Sequence, residues 1–331
     1  MEDWIKYYEG KRIVITGAAG FIGSSLVRAL SQVECGLICC TRSPDELGVE
    51  VPSRARITNR QIDIRSPSVW VETLEGADMV FHFAAQTSSN FANQNPWEDM
   101  TINLFPVVRF LETCRGEKIR PDIIFPGTVT QAGLTNTYPV DETTRDLPIT
   151  IYDINKLSAE KYLRYYASQM GGRATTLRLA NVYGPGPGSS RPDRGILNMM
   201  VKRALAGEAL TVYGEGNYVR DYIFIDDVVS AFLMAGAGIN SADGNYYVLG
   251  SGAGHTIKEM VETVRKIANE MVGGSVEIQH VATPPDLSQI ESRHFVADTS
   301  LFQAHTGWRP TVSLEEGIGR TIEFFLEQGK Q

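Results

Sequence analysis

The sequence predicts an α/β fold, a doubly wound parallel sheet with a smaller, discontinuous C-terminal domain. Two observations predict the sheet in the first half of the 331 residues. Short apolar runs alternate with amphipathic stretches, which is typical of βαβ units, and a glycine-rich turn joins the first run to the first amphipathic stretch at residues 17–23. A third observation predicts the second domain. Residues 181–194 are rich in Gly, Pro, Ser and Arg, which is typical of a long loop.

Each element follows from its local pattern. Apolar runs predict strands at residues 12–16, 36–41, 57–63, 79–83, 123–125, 175–179, 210–213, 221–225 and 246–249. Helical periodicity predicts helices at residues 21–32, 66–74, 97–114, 152–170, 197–206, 257–270 and 314–328. In the first of these helices, Ile22, Leu26 and Leu30 share one face. We assign residues 1–180 and 221–250 to the first domain, and residues 181–220 and 251–331 to the second.

Composition excludes several classes of partner. Apolar residues make up 43% of the chain and charged residues 21%, and the net charge is −8. An acidic surface disfavours nucleic acids and anionic membranes as partners, and no apolar run approaches the roughly 20 residues that span a bilayer. Residues 1–6 do not resemble a signal or transit peptide. The four cysteines lack zinc-site spacing. We therefore expect a cytoplasmic protein with reduced thiols and no metal site.

The turn at residues 17–23 has the form expected of a phosphate-binding loop. It follows a strand and opens an amphipathic helix, with the spacing G-x-x-G-x-x-G. Gly17 permits a tight turn, Gly20 permits close approach of the backbone to a pyrophosphate, and Gly23 lets the helix pack on the strand. Phe21 and Ile22 lie at the helix N-terminus, which favours anions. We therefore expect these residues to bind a dinucleotide.

The end of the second predicted strand indicates which dinucleotide. An acidic side chain there, roughly 20 residues beyond the turn, hydrogen-bonds the ribose 2′-hydroxyl of NAD. This chain has Thr41-Arg42-Ser43 instead. A guanidinium pairs well with a 2′-phosphate, which favours NADP, although Arg42 stacked on adenine would also serve NAD. Asp63 and Ile64 are expected near the adenine. The alternative for Asp63 is a carboxylate in a turn at the strand end.

Tyr152 and Lys156 form a candidate acid/base pair. They open a predicted helix and lie one turn apart on the same face. A free phenol has a pKa of about 10 and is a poor base at neutral pH, but a neighbouring ammonium favours the phenolate. Thr128 and Thr130 follow a buried strand upstream. Either hydroxyl could bond a substrate oxygen and share its proton with Tyr152.

In combination, these motifs resemble the extended short-chain dehydrogenases/reductases that act on nucleotide sugars, the NAD-dependent epimerase/dehydratase family. The resemblance covers nearly the whole chain and implies a Rossmann-type fold. Besides the glycine turn and the Tyr152/Lys156 pair, the matching segments are His82-Phe-Ala-Ala-Gln86, Asn103, residues 178–185, residues 220–228, and residues 297–300 with 307–310.

The resemblance implies a reaction and roles for individual residues. A hydride moves between nicotinamide C4 and a hexose carbon, usually C4, with Tyr152 as acid/base. Lys156 would also hold the nicotinamide ribose, while Ala84 and Ala85 would let the cofactor lie close to the backbone. Counting back from Gly133, the family's Ser/Thr position is Thr128. For His82 and Asn103 we expect structural roles, Asn103 bracing the neighbouring strand end.

The resemblance also implies where the nucleotide sugar binds. Asn181 is expected to contact it, and Arg220 to grip its diphosphate with a fork of donors. Many relatives carry a further arginine near residues 282–286, where this chain has none, so Arg293 is the expected substitute.

Three further substrate-binding residues are expected from their positions. Asn198 would add a donor near a helix N-terminus, and Gln86 and Thr87 would ring the hexose, unless residues 86–90 are simply a solvated loop. Arg191 and Arg194 are weaker candidates.

The residues after Thr128 discriminate between reactions. The family's dehydratases carry an acid pair there, whereas this chain has Val129-Thr130-Gln131, which disfavours a 4,6-dehydratase. No carboxylate and arginine of the kind that decarboxylases need are found either. A 4-epimerase is therefore the expected function. An NADPH-dependent nucleotide-sugar 4-ketoreductase is the alternative, and a non-catalytic dinucleotide-sensing protein is a third hypothesis. Relatives pair the helices at 97–114 and 152–170 between subunits, which implies a homodimer.

Overall fold

The structure is a computed structural model that describes residues 2–42, 53–66, 68–135, 137–187, 195–242, 244–285 and 287–329. Within these ranges the strands are β1 (Arg12–Thr16), β2 (Gly36–Thr41), β3 (Arg56–Gln61), β4 (Met79–His82), β5 (Asp122–Thr128), β6 (Ala174–Leu179), β7 (Asn181–Tyr183), β8 (Leu210–Tyr213), β9 (Val219–Phe224), β10 (Tyr246–Leu249), β11 (Gly254–Thr256) and β12 (Ile278–Val281).

The helices in the same ranges are α1 (Glu2–Tyr8), α2 (Phe21–Leu30), α3 (Val69–Leu74), α4 (Ser89–Gln94), α5 (Pro96–Asn103), α6 (Phe105–Gly116), α7 (Ile151–Met170), α8 (Ile196–Leu205), α9 (Ile225–Ala237), α10 (Ile239–Ala242), α11 (Ile257–Val272), α12 (Ser300–Thr306) and α13 (Leu314–Gln328). Short 3-10 helices lie at Val129–Ala132 and Gln289–Ser292.

The predicted parallel sheet is confirmed. Seven described strands form it in the order β10-β6-β5-β4-β1-β2-β3, and all its pairings are parallel. Strand order reverses between β1 and β4. In such sheets ligands bind at the carboxyl ends of the strands beside this switch point, and the candidate residues Gly17, Ala84 and Thr128 follow or end strands at that edge.

Alternate residues of the central strands pack on opposite faces of this sheet. Ile13 and Ile15 of β1 belong to one buried cluster, shared with α2 and α9, whereas Val14 belongs to a second, shared with α3, α6 and α7. The two-residue period of a strand produces this division. Helices therefore cover both faces, as a parallel sheet requires.

One predicted helix is interrupted. The single helix expected at residues 97–114 is two, α5 and α6, separated at Leu104. Pro106 supplies the physical reason, because proline lacks a backbone N–H and disfavours helical geometry at the preceding residue. Ser89 and Asn90, which lie in the segment 86–90 considered as a solvated loop, open α4.

Helix α9 was not predicted. Its sequence I-D-D-V-V-S-A-F-L-M-A-G-A is apolar on nearly all sides, and nine of its residues are buried. Such a run lacks the one-sided periodicity that identifies a surface helix. The proposed division into domains stays a prediction. Within the segment 221–250, β10 joins the main sheet, whereas β9 pairs with β7 and β11.

The four cysteines were predicted to be buried, reduced thiols. Cys35, Cys39, Cys40 and Cys114 lie buried and unpaired, and burial raises the pKa of the Cys39 and Cys40 thiols to about 12.

Among the residues that the structure describes, no helix has the length and apolar character needed to cross a bilayer.

Candidate active site

The glycine turn connects β1 to α2 at the switch point. Gly17 has a φ of 66°, and a Cβ on it would lie 2.7 Å from the backbone nitrogen of Ala84. A Cβ on Gly23 would lie 2.2 Å from the carbonyl oxygen of Gly17. Both positions therefore require glycine. Gly20 is the N-cap of α2, which has no side-chain cap and no acidic residue in its first turn. The N-terminus of α2 is thus built to accept an anion.

Thr41, predicted to lie near the adenosine ribose, is buried at the end of β2. The carbonyl oxygen of Arg42 accepts a hydrogen bond of 2.9 Å from Gln61. The Asp63 carboxylate receives Arg65 Nε at 2.9 Å, and this contact lowers the pKa of Asp63. These contacts favour the alternative role for Asp63, a carboxylate in a strand-end turn. Ile64 is buried. Ser43, Arg191 and Arg194 lie outside the described residues.

Tyr152 and Lys156 lie in the first two turns of α7. The Lys156 side chain is 2% exposed, and its Nζ lies 3.9 Å from the ring centroid of Phe125 on β5. Burial lowers the pKa of Lys156 to about 7, although Asp99 and Glu160 attract its proton. The amine therefore exchanges its proton near neutral pH, where it can influence the half-buried Tyr152 one turn earlier.

His82 lies beneath this pair at the end of β4. Its Nδ1 bonds Thr16 Oγ1 at 2.8 Å, and the same Thr16 oxygen accepts the Ala84 N–H at 3.2 Å. Burial, aided by the nearby Lys156 charge, lowers the pKa of His82 to about 3. The imidazole is neutral and joins the ends of β1 and β4, which agrees with the predicted structural role.

Thr128 ends β5 and caps the 3-10 helix that follows. Its Oγ1 lies 2.7 Å from Thr130 Oγ1, and Thr130 donates to the carboxylate of Asp153, the residue after Tyr152. Two hydrogen bonds therefore connect Thr128 to the first turn of α7. The sequence-predicted trio of Thr128, Tyr152 and Lys156 is brought to one edge of the sheet.

A second cluster contains the predicted diphosphate arginines. Arg220 and Arg293 are 2% and 8% exposed. Burial, together with the Arg293 charge, lowers the pKa of Arg220 to about 10. Arg293 Nη2 donates to Asn181 Oδ1 at 3.3 Å. Among the described residues, Arg293 Nε and the hydroxyl of Tyr222 are buried and have no hydrogen-bond partner. Two buried cations and two unsatisfied donors, one on Arg293 and one on Tyr222, suit an anion, and the Glu291 carboxylate lies 3.5 Å from Arg220 and 3.4 Å from Arg293.

Comparison with known proteins agrees with this geometry. The sequence profile of the NAD dependent epimerase/dehydratase family matches residues 13–250. The chain belongs to this family. A UDP-glucose 4-epimerase of Mycolicibacterium smegmatis is 29% identical over 96% of this chain and 100% of its own. The crystal structure of the Thermotoga maritima UDP-glucose 4-epimerase with UDP-glucose is 29% identical, with a TM-score of 0.84 over 96% of this chain and 99% of its own.

Reductases also occur among the relatives. A dTDP-4-dehydro-6-deoxyglucose reductase of Escherichia coli is 26% identical over 94% of this chain and 96% of its own. Membership of the epimerase/dehydratase family therefore makes this protein an NAD(P)-dependent enzyme and leaves its reaction to be argued from the site.

Gln86 does not have the side-chain position expected of a sugar ligand. It is buried, and its amide donates to Asp99 Oδ1 at 2.6 Å and to the Ser88 carbonyl at 2.9 Å. Its side-chain oxygen accepts the Ser88 N–H. The side-chain amide of Asn103 donates to the Gln86 carbonyl at 2.9 Å and accepts the Gln86 backbone N–H at 3.2 Å. The geometry favours positioning roles for Gln86 and Asn103, and it leaves exposed Thr87 as the candidate ligand of this loop.

Asn198 is engaged in the same way. Its Nδ2 donates to the Gly184 carbonyl at 2.8 Å, and its Oδ1 accepts the Gly184 N–H at 3.1 Å. These two bonds hold the backbone of the loop after β7 against α8. We therefore favour a loop-anchoring role for Asn198 over the predicted direct contact with substrate.

Three residues of the site were missed from the sequence. Asp99 is fully buried and accepts hydrogen bonds from Gln86, Asn103 and Asn155. Asp153 links α7 to Thr130, and Tyr222 points a lone hydroxyl at the arginine cluster. The R-D-Y sequence at 220–222 was a signal for Tyr222. Asp99 and Asp153 gave no such signal, because each also bonds a residue distant in sequence, Asn155 for Asp99 and Thr130 for Asp153.

Proposed function

We propose that this protein is a nucleotide-sugar epimerase acting at hexose C4 by transient oxidation. The observation that carries the proposal is the convergence of Thr128, Tyr152 and the buried Lys156 at the carboxyl edge of the sheet. The glycine turn follows β1, which β4 separates from the β5 strand that ends at Thr128. The likeness to two UDP-glucose 4-epimerases supports the reaction and the substrate class.

Each residue has a defined task in this proposal. Gly17, Gly20 and the uncapped start of α2 would hold the pyrophosphate of NAD(P), which supplies the hydride acceptor and donor. Tyr152 takes the proton of the C4 hydroxyl and later returns it. Lys156, as an ammonium, stabilises the phenolate form of Tyr152. Thr128 contacts the C4 oxygen.

The cofactor is proposed to be NADP, in keeping with Thr41-Arg42 at the end of β2. The guanidinium of Arg42 suits a 2′-phosphate. Both oxygens of the Asp63 carboxylate accept a hydrogen bond from Arg65 Nε, at 2.9 and 3.0 Å. Asp63 Oδ2 also accepts one from Arg65 Nη2 at 2.5 Å. This ion pair leaves Arg42 as the charged side chain that we assign to the ribose.

The substrate diphosphate is proposed to bind at Arg220 and Arg293. We expect Arg293→Met to raise the KM for a nucleotide sugar by about 10- to 100-fold with kcat changed little, because charge-assisted hydrogen bonds contribute ~1.5–3 kcal/mol. Steady-state kinetics measure both constants. Arg54→Met, which removes an exposed guanidinium paired with Glu34, is the control and should leave KM as it is. An unchanged KM in Arg293→Met would place the diphosphate elsewhere.

A homodimer is proposed through α5, α6 and α7. These helices contact one another and expose several large apolar side chains, among them Trp97 at 67% and Tyr165 at 55%. Large exposed apolar patches mark interaction sites. Sedimentation velocity should give twice the chain mass for the wild type and the single chain mass for Tyr165→Lys. A wild-type monomer at micromolar concentration would contradict this interface.

A 4-ketoreductase remains the second candidate, favoured by Arg42 and by the Escherichia coli relative. The experiment that separates the two is to denature the purified protein and quantify the dinucleotide released. An epimerase recycles its cofactor, so we expect close to one NAD(P) per chain. An empty protein that consumes added NADPH would instead identify a reductase. The same measurement distinguishes NADP from NAD.

A further inference from the structure

A chain of buried hydroxyl groups leads from Thr128 to a carboxylate. Thr128 Oγ1 lies 2.7 Å from Thr130 Oγ1, and the Thr130 hydroxyl donates to Asp153 Oδ1. The other oxygen, Asp153 Oδ2, accepts the Thr150 hydroxyl at 2.7 Å. All four residues are buried, and Asp153 has no exposed surface. Bulk water therefore does not compete with these bonds.

The charge of Asp153 sets the direction of the hydrogen bonds. Asp153 lies in the first turn of the 20-residue helix α7, where the helix dipole favours a negative charge. A carboxylate can only accept hydrogen bonds, so Thr130 donates to it. The oxygen of Thr130 then accepts the hydrogen of Thr128.

The backbone fixes the rotamer of Thr128. Thr128 is the N-cap of the 3-10 helix Val129–Ala132, and its Oγ1 accepts the Thr130 N–H at 3.3 Å. The Thr128 N–H in turn donates to Gln131 Oε1 at 3.0 Å. The side chain is therefore held in place by its own turn, and the remaining freedom is rotation of the hydroxyl hydrogen.

We propose that Thr130 and Asp153 are positioning residues that commit the hydroxyl hydrogen of Thr128 to Thr130, so that Thr128 does not donate it to the Tyr152 phenolate. This inference rests on the proposed function of Tyr152. A hydrogen bond donated to a phenolate stabilises it and makes it a weaker base. Withholding that donor keeps Tyr152 basic enough to take the proton of the sugar hydroxyl.

Several other charged groups lie around α7 among the described residues, and Asp146 is paired with Arg178 at 2.7 Å and with Lys161 at 3.1 Å. On α7 itself, Lys156 faces Tyr152, and Glu160 is paired with Arg178 of β6 at 2.7 Å. From α5, Asp99 is bound by three amides. His82 of β4 is neutral. Substitution of Thr130 by another uncharged residue changes none of these charges, so a shift in the pH profile reports on the hydroxyl chain.

The test compares Thr130→Val with Thr130→Ser. Valine removes the hydroxyl with little change in volume, which frees the Thr128 hydrogen to reach Tyr152. We expect Thr130→Val to lower kcat about 10-fold and to move the acid limb of kcat/KM down by about one pH unit. Thr130→Ser keeps the hydroxyl and should restore both values to within about twofold of wild type. Equal losses in the two variants, with an unshifted acid limb, would overturn the proposal.

Thr150→Val controls for the stability of α7. Thr150 caps the helix and bonds the other oxygen of Asp153, outside the link to Thr130. We expect its Tm to fall by roughly 2 °C, with the acid limb of kcat/KM in place. If Thr150→Val moved the acid limb as far as Thr130→Val does, the effect would belong to the helix end, and the proposal would fail.

Neutron diffraction of the deuterated protein tests the same inference without turnover. The deuterium of Thr128 should lie between Thr128 Oγ1 and Thr130 Oγ1, and that of Thr130 between Thr130 Oγ1 and Asp153. A Thr128 deuterium that points elsewhere overturns the positioning role. Because no substrate is involved, this result holds even if the wild type turns out to epimerise no nucleotide sugar, which would refute the proposed function alone.

Discussion

Tyr152→Phe is expected to lower kcat about 1,000-fold while the protein still retains its dinucleotide. Phenylalanine fills the same space on α7 but cannot exchange a proton with the C4 hydroxyl, and positioned general acid/base groups contribute on the order of 10²–10⁴ in rate. Kinetics with a nucleotide sugar give the rate, and release of dinucleotide on denaturation gives the occupancy.

Tyr162→Phe is the matched control for that variant. Tyr162 lies on the same helix and is 44% exposed, so the loss of its hydroxyl should leave kcat within about twofold of wild type. Full activity in Tyr152→Phe would show that another group moves the proton. Loss of the dinucleotide in Tyr152→Phe would assign Tyr152 to binding instead of proton transfer.

Lys156→Met is expected to lower kcat at least 100-fold and yet to raise the Tm. In the unfolded chain a lysine stays protonated up to a pH of about 10.4, whereas burial lowers the pKa of Lys156 in the folded protein to about 7. The folded state therefore binds fewer protons than the unfolded state between these values. By linkage, Lys156 costs stability at neutral pH, and this cost is relieved as the pH rises.

The same pKa predicts the alkaline side of the rate profile. The ammonium form of Lys156 favours the Tyr152 phenolate, and it is lost as the pH rises through about 7. We therefore expect kcat/KM of the wild type to fall on that side. Lys161→Met, which removes an exposed amine on the same helix, is the control and should keep both the activity and the pH profile of the wild type.

For the stability of Lys156→Met, a Tm below that of the wild type would contradict the prediction. It would show that the attraction of the Lys156 ammonium to Asp99 and Glu160 outweighs the cost of its burial.

The sheet, the glycine turn and the placement of Tyr152 and Lys156 on one helix were predictable because their signals are local. A strand, a G-x-x-G-x-x-G turn and an amphipathic helix follow one another within residues 12–30, and Tyr152 and Lys156 are one helical turn apart. Helix α9 was not predicted because nearly every side of it is apolar, so it lacks the one-sided periodicity of a surface helix. The break between α5 and α6 was visible in principle as Pro106, but the flanking apolar periodicity continues through it.

The polar networks of the site were not predictable in this way. Gln86 and Asn198 are polar residues at the expected positions, and the sequence could not show that Asp99 and Gly184 already occupy their amides. The Asp153 carboxylate of α7 bonds Thr130, the second residue after Thr128. Its two oxygens accept from Thr130 and Thr150. A tertiary carboxylate of this kind has no pattern in the residues around Thr128.

Conversion of a UDP-hexose deuterated at C4 tests the central claim most directly. The purified protein, without added cofactor, is incubated with UDP-glucose carrying deuterium at C4 and the product is followed by NMR. The proposed mechanism predicts the C4 epimer with the deuterium still at C4, because the same bound cofactor removes and returns it. Loss of the deuterium to solvent, or conversion that depends on added NADPH, would contradict epimerisation by transient oxidation.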